Sequence, residues 1–257
     1  MDAKTPETPQ AAELSLPQAF LLLATNDSDG KPAVPVFALR TTLAGAILAE
    51  LDLLGAIELQ GKHVRATGAL PQTDFQRELE IIRGKSRPHT PKRWVSMLEG
   101  RNEAQRVYEQ MASLGIVEQV GEKHLGLFKS TRYPEKDHGP EAALLQQIEA
   151  ALSGAPPEPA KSGATAPEAK PDTEASQAEA PGAEPDSKAP DAKPSSEVPD
   201  PRTTALIALL EAAGLLGKLF PAADQSRVRE LVKGHWPSRA VVDELRMIRL
   251  AEVEAVT

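Results

Sequence analysis

The sequence predicts a mainly α-helical fold: a compact helical domain with a central bundle, peripheral β-hairpins and a disordered linker interrupting it. Three observations carry this reading. Leu and Ala are abundant while aromatics are only 4% of the 257 residues, a balance that suits helices, because strands prefer β-branched and aromatic side chains. Apolar residues recur at helical spacing in blocks bounded by capping residues and glycines. The third observation is a stretch without any large apolar residue, 155–200, that separates two apolar regions.

That stretch is built from Ala, Pro, Glu, Asp, Lys and Ser, with no Leu, Ile, Phe, Tyr or Trp. It cannot bury enough apolar surface to offset its ordering entropy, so it is expected to be a disordered acidic linker. The polar, Pro-containing residues 1–13 are expected to be a disordered tail, and they lack the basic and apolar regions of a secretory signal. Residues 14–154 and 201–257 are expected to form the two parts of one domain, the second being too small to bury much core alone.

In the first part, Ser15 is a plausible N-cap for a helix through Phe20–Leu23, which ends near the turn Asn26–Gly30. Thr41 or Thr42 is expected to cap a second helix carrying Leu43, Ile47, Leu48, Leu51 and Leu54, with Gly55 just past its end. Helices are expected at Thr73–Arg83, Lys92–Leu98, Asn102–Leu114 and Pro140–Leu152, the last with Pro140 in its first turn and Gly154 as its cap. In the second part, helices are expected at Thr203–Leu216, Ser226–Val232 and Ser238–Val253, the last capped by Ser238.

An internal echo joins two of these helices. Leu54-Gly55-Ala56-Ile57-Glu58-Leu59 and Leu114-Gly115-Ile116-Val117-Glu118-Gln119 each follow a helix and precede a polar turn with a second β-like run. The first turn is Gln60-Gly61-Lys62, before His63–Thr67, and the second is Val120–Lys123, before Leu125–Lys129. The unit is helix, glycine cap, strand, tight turn, strand, in effect a helix with a wing. Such a hairpin either covers the core, contacts a nucleic acid or docks on a surface.

Charge and motifs exclude several classes. The linker holds four lysines and ten acidic residues, a net of −6 out of the chain's −8, which leaves the remainder at −2. That remainder lacks the global basic footprint of a general nucleic-acid binder. With no cysteine, disulfides, thiolate metal sites and a cysteine nucleophile are excluded. The motifs GxGxxG, GxxxxGK[ST], HExxH and GxSxG are missing, so the chain reads as a binding module and not an enzyme, with no cofactor. The five histidines, His63, His89, His124, His138 and His235, show no ligand spacing and read as surface or turn residues, with no metal site. No apolar run approaches the roughly 20 residues of a spanning helix, so a cytoplasmic protein, peripheral at a membrane surface, is expected.

One run is suggestive. Arg83, Lys85, Arg87, His89, Lys92 and Arg93 fall within eleven positions, broken by Pro88 and Pro91 and followed by Trp94. It reads either as a solvated loop whose Trp94 anchors the next helix in the core, or as a contact for an anionic surface.

Several segments together resemble the Golgi phosphoprotein 3 family: Leu14–Leu23, Gly45–Leu51 with Leu54–Leu59, and Trp94–Leu98 with Gly100. The resemblance continues at Leu114–Val117 through Phe128 to Pro134, then at Pro201-Arg202, Leu206–Leu210, Phe220 and Arg227–Leu231. The cysteine-free, Ala/Pro-rich composition suits a bacterial member. The resemblance implies peripheral binding of anionic membrane lipid head groups, phosphatidylinositol 4-phosphate among them, and an adaptor role for a client protein tail in some members. It places Pro35 near the family's pocket tryptophan and Ala44 near an arginine of the second helix. Of the paired arginines on a later helix, one matches Arg101 and the other falls on Ala104, while Arg106 matches a further one. Arg40 sits one turn before Ala44. The expected lipid-binding residues are therefore Arg40, Arg101 and Arg106, with Lys92 and Arg93 from the basic run. The hairpin tip expected at Gly121–His124 is polar. The competing reading is a winged-helix-like nucleic-acid-binding regulator, based on the two helix-with-wing units.

Overall fold

The computed structural model describes residues 14–124, 128–154 and 199–256, with the backbone alone for Arg101, 122–124, 128–130 and 252–256. The expected tail at 1–13, nearly all of the expected linker at 155–200, and the side chains of the expected polar hairpin tip lie outside the described residues. Among the described residues, ten helices and two antiparallel hairpins follow one another.

The chain begins with α1, Leu16–Leu23, which is buried over its whole length. A helix apolar on every side must sit inside the protein. Ser15 precedes it as expected, and Ser15 N–H donates to Gln18 Oε1 at 3.0 Å, one half of a capping box. Helix α2, Val36–Leu53, starts earlier than Thr41 or Thr42, which lie fully buried inside it. Pro35 is its N-cap; residues after a proline that already holds a helix-compatible φ continue readily into the turn. Thr41 instead donates its hydroxyl to Glu99 Oε2 at 2.8 Å. Gly55 follows with φ +65°, the left-handed conformation expected after the helix.

Helix α2 is the central element, packed against α1, α4, α5, α7 and α10. The hairpin β1 (Ile57–Gln60) and β2 (His63–Ala66) follows it, pairing Leu59 with Val64 around the turn at Gly61-Lys62. Helices α3 (Gln76–Arg83), α4 (Pro91–Leu98) and α5 (Arg101–Ser113) come next. Trp94 is fully buried, so it anchors α4 in the core, while Lys85, Arg87 and Arg93 are exposed.

The second hairpin departs from the expected register. The segment expected as its turn is strand, since β3 is Val120–His124, paired to β4 at Phe128–Arg132 with Gly121 opposite Thr131. Residues 125–127 lie outside the described residues. Ile116–Glu118, expected as strand, makes only a bridge: Val117 pairs with Glu135, and Glu118 N–H donates to Pro134 O at 2.9 Å. The backbone hydrogen bonds beyond Tyr133 hold this segment apart from the ladder, and they move the turn outward along the chain.

Helix α6, Gly139–Ser153, has a proline in its first turn and ends on Gly154 at φ +68°. Asp200, placed in the linker by composition, is the N-cap of α7, Pro201–Ala213, where its carboxylate accepts from Thr203 N at 2.9 Å. Short α8 (Leu216–Leu219), α9 (Gln225–Val232) and α10 (Trp236–Val256) complete the fold. Ser238 does not cap α10. His235 does, through Nδ1, which accepts from Ser238 N at 3.2 Å. Burial holds the His235 imidazole down, to a pKa of about 4. The adjoining Trp236 Nε1 donates to Asp52 Oδ2 on α2 at 3.0 Å.

The core runs without a break from α1 and α2 into α7 and α10, joining residues from both sides of 155–200. Two features fasten the segments. Glu50, 5% exposed, accepts from Leu16 N at 2.8 Å and from both guanidinium nitrogens of Arg202, at 2.7 and 3.2 Å. Gly45 lies so close to α10 that a Cβ there would stand 2.2 Å from Val241 Cγ2, so α2 and α10 approach to a distance only glycine allows.

Candidate functional site

Of the five expected lipid-binding residues, two are carried by elements that adjoin at one corner. Arg40 sits on α2 beside Thr41, whose hydroxyl holds Glu99 at the end of α4, and Arg101 opens α5 two residues further on. The backbone thus places Arg40 and Arg101 at the same junction; the Arg101 side chain lies outside the described residues. Val36, 51% exposed, stands one turn before Arg40 and so shares its helix face. Glu99 tempers this charge. Burial raises its carboxyl above the usual range, the Thr41 hydrogen bond lowers it, Glu244 on α10 raises it and Arg40 lowers it.

Lys92 and Arg93 occupy the first turn of α4, behind the N-cap Thr90, whose Oγ accepts from Arg93 N at 3.4 Å. At 1.5 Å per residue the far end of this helix is about 10 Å away, so the pair flanks the Arg40 corner and does not join it. Among the described residues, the side chains of Arg40, Lys92 and Arg93 form no ion pair.

Arg106 is different. Its Nη2 donates to Glu78 Oε1 on α3 at 2.7 Å, and the Glu78 side chain is 1% exposed. The pair is incompletely satisfied, because Glu78 Oε2 and Arg106 Nε are both buried without a partner. Where the family's remaining arginines would fall, Ala44 is buried in the core and Ala104 packs half-buried against it.

Sequence reasoning missed a second constellation. Asp27, in the turn after α1, meets Glu135 and His138, which follow β4, and one ligand atom from each lies within 4.8 Å of the others. Glu141, in the first turn of α6, joins them: burial, then the charges of Asp27 and Glu135, push its pKa up to about 8. Asp27 and Glu135 also line a cleft together with Thr25, Tyr108 and Tyr133. Tyr108 stacks on Tyr133 at 4.4 Å between ring centroids and shares a 2.6 Å hydrogen bond with Thr25. Burial drives the Tyr108 hydroxyl up to about 12. The sequence reading took His138 as a surface or turn residue without ligand spacing and passed over Glu135 three positions before it; Asp27 is brought in from the far side of two hairpins.

With the geometry in hand, the profile of the Golgi phosphoprotein 3 (GPP34) family matches residues 16–248. The chain belongs to that family. No curated protein matches it. As a GPP34 member it has the mainly helical body that the resemblance implied, with its two hairpins at the edge. Among the described residues of this GPP34 protein, no helix is long and apolar enough to cross a membrane.

Proposed function

We propose that this GPP34 protein is a peripheral membrane protein that binds anionic lipid head groups through Arg40, Arg101, Lys92 and Arg93. Arg106 takes part by orienting α5 through its pair with Glu78. The observation that carries the reading is a set of cations that form no ion pair among the described residues, Arg40 near the start of α5 with Lys92 and Arg93 flanking it on α4, in a member of this family. A basic residue near a negatively charged bilayer contributes about 1 kcal/mol, so this group supports weak, reversible attachment. With alanine at 44 and 104, recognition rests on summed charge more than on one head group, and phosphatidylinositol 4-phosphate is one anionic lipid among several. Attachment would leave other faces open to a client protein tail, the adaptor role.

Liposome flotation tests this. Vesicles rich in phosphatidylserine should carry the protein at low salt and release it at moderate salt, because exposed charges are screened over about 8 Å at physiological ionic strength. Neutral phosphatidylcholine vesicles should not bind. Vesicles matched in charge but bearing phosphatidylinositol 4-phosphate should bind within a few-fold of the phosphatidylserine ones. No flotation on any anionic vesicle at low salt, together with a shift of duplex DNA, would overturn the proposal in favour of the winged-helix reading.

A further inference from the structure

We propose that Asp27, Glu135 and His138 form a binding site for a divalent transition cation, with Zn²⁺ preferred over Mn²⁺, and with Glu141 as a further oxygen donor. The inference is independent of lipid binding.

The first support is convergence. One donor atom from each of Asp27, Glu135 and His138 lies within 4.8 Å of the others. Ligands at about 2.0–2.2 Å from a tetrahedral zinc stand about 3.4 Å apart, so small side-chain rotations close the shell. The Glu141 carboxyl lies against both Asp27 and Glu135.

The second support is an orphaned group aimed at the same place. The Glu135 side chain is 2% exposed. Its Oε2 contacts His138 Nδ1, its buried Oε1 receives no N–H or hydroxyl hydrogen bond, and the Glu141 carboxyl lies against Glu135. Carboxyl groups crowded together and buried without a cationic partner are costly and call for an explanation. Glu135 lines the cleft together with Asp27, and the Tyr133 hydroxyl, on the same lining, is likewise buried without a partner. A cation bound among these carboxylates, with its waters, would neutralise them and give the buried oxygens partners.

The third support is rigidity, which a metal site needs. Glu135 N–H donates to Asp27 O at 3.0 Å, tying the two ligand-bearing segments backbone to backbone. Asn26 Oδ1 accepts from Ser28 N and from Asp29 N, at 3.2 and 3.3 Å, so it shapes the Asp27 turn. Gly30, at φ +64°, closes that turn against Tyr133 and Pro134, where a Cβ would come within 2.5 Å of backbone. The ligands are therefore positioned by contacts that do not depend on the ion.

The donor set selects the metal. Carboxylates alone suit Ca²⁺ and Mg²⁺, whereas an imidazole among them favours transition ions, and affinity rises from Mn²⁺ to Zn²⁺. An ion here would clamp the turn after α1 to the end of the second hairpin and the start of α6, in keeping with a structural role.

The test uses the full-length, untagged chain after chelator treatment. Titration calorimetry with Zn²⁺ should show saturable binding of one ion, with Mn²⁺ weaker and Mg²⁺ undetected. Saturating Zn²⁺ should raise Tm by about 4 °C or more, as expected for a ligand held only by the folded state. His138→Ala, at a side chain 72% exposed, should keep the fold and weaken Zn²⁺ at least ten-fold. Glu135→Gln should do the same, and His63→Ala, at an exposed histidine on β2, should change nothing. Absence of saturable binding, or affinity unchanged in both His138→Ala and Glu135→Gln, overturns the proposal.

Discussion

Two buried glutamates face arginines in this molecule, and they differ in completeness. Glu50, between α1, α2 and α7, receives a backbone N–H and two guanidinium nitrogens. Glu78, between α3 and α5, receives one guanidinium nitrogen, and an oxygen of its own and the Arg106 Nε stay unmatched. A buried ion pair offsets its desolvation only when the remaining lone pairs and protons are also satisfied. The first pair meets that condition, and it joins two segments separated by 152 positions. The second does not, and it sits on the helix that carries Arg101. The contrast assigns the first to holding the fold, and it leaves the second with hydrogen-bonding capacity to spare.

The strongest way to break the comparison is Arg202→Ala. Leaving Glu50 buried with its charge uncompensated should cost about 3–5 kcal/mol in urea unfolding. Adding Glu50→Gln should recover part of it. A loss below about 1 kcal/mol would show that the fully bonded pair is no fastening.

A smaller effect should come from acid at α10, whose N-cap is as well fitted as Glu50. His235 has a folded pKa of about 4, below its ordinary 6.5. Its contribution to stability is therefore complete above about pH 6.5. It falls as the unfolded chain takes up the proton that the folded chain refuses, and it levels off below about pH 4. The window corresponds to about 3 kcal/mol. His235→Asn keeps a capping oxygen and should flatten this part of the pH profile; an unchanged profile would refute the assignment.

Replacing both partners of the second pair sharpens the comparison from the other side. The Arg106–Glu78 pair is half-satisfied, so Arg106→Met with Glu78→Leu, which leaves no charge stranded, should lose no more than about 1–2 kcal/mol, clearly less than Arg202→Ala. An equal or larger loss would reverse the ranking.

The smallest stability effect is expected for Lys92→Glu with Arg93→Glu, within about 0.5 kcal/mol, since neither side chain forms an ion pair among the described residues. The same double change should remove on the order of 2 kcal/mol of attachment to phosphatidylserine vesicles, at about 1 kcal/mol per cation lost. Stability and flotation measured on one preparation would separate charges that hold the fold from charges that meet the membrane.

The helices were legible where pattern and caps agreed. Ser15, Pro140, Gly55 and Gly154 stand where their chemistry places them, because a cap is a local event that a few neighbouring residues decide. Trp94 was legible as a core anchor for the same reason, an aromatic at the start of an apolar helical stripe. The start of α2 was not, because Thr41 and Thr42 are good caps in isolation, and only the core that surrounds them turns them into buried interior residues. The register of the second hairpin was lost similarly, to backbone bonds that Ile116 and Glu118 make with residues past Tyr133.

By itself, then, the sequence determined the helical class, the family and the positions of the basic residues, all properties carried by short-range spacing and side-chain type. Only the tertiary structure decided which charges are spent and which are free. It paired Arg202 with Glu50 and Arg106 with Glu78, left Arg40, Lys92 and Arg93 without ion-pair partners among the described residues, and brought donor atoms of Asp27, Glu135 and His138 within 4.8 Å of one another. The physical reason is range. A cap or an apolar stripe is set within one or two turns of chain, whereas a charge answers to whatever the fold brings within a few ångströms of it.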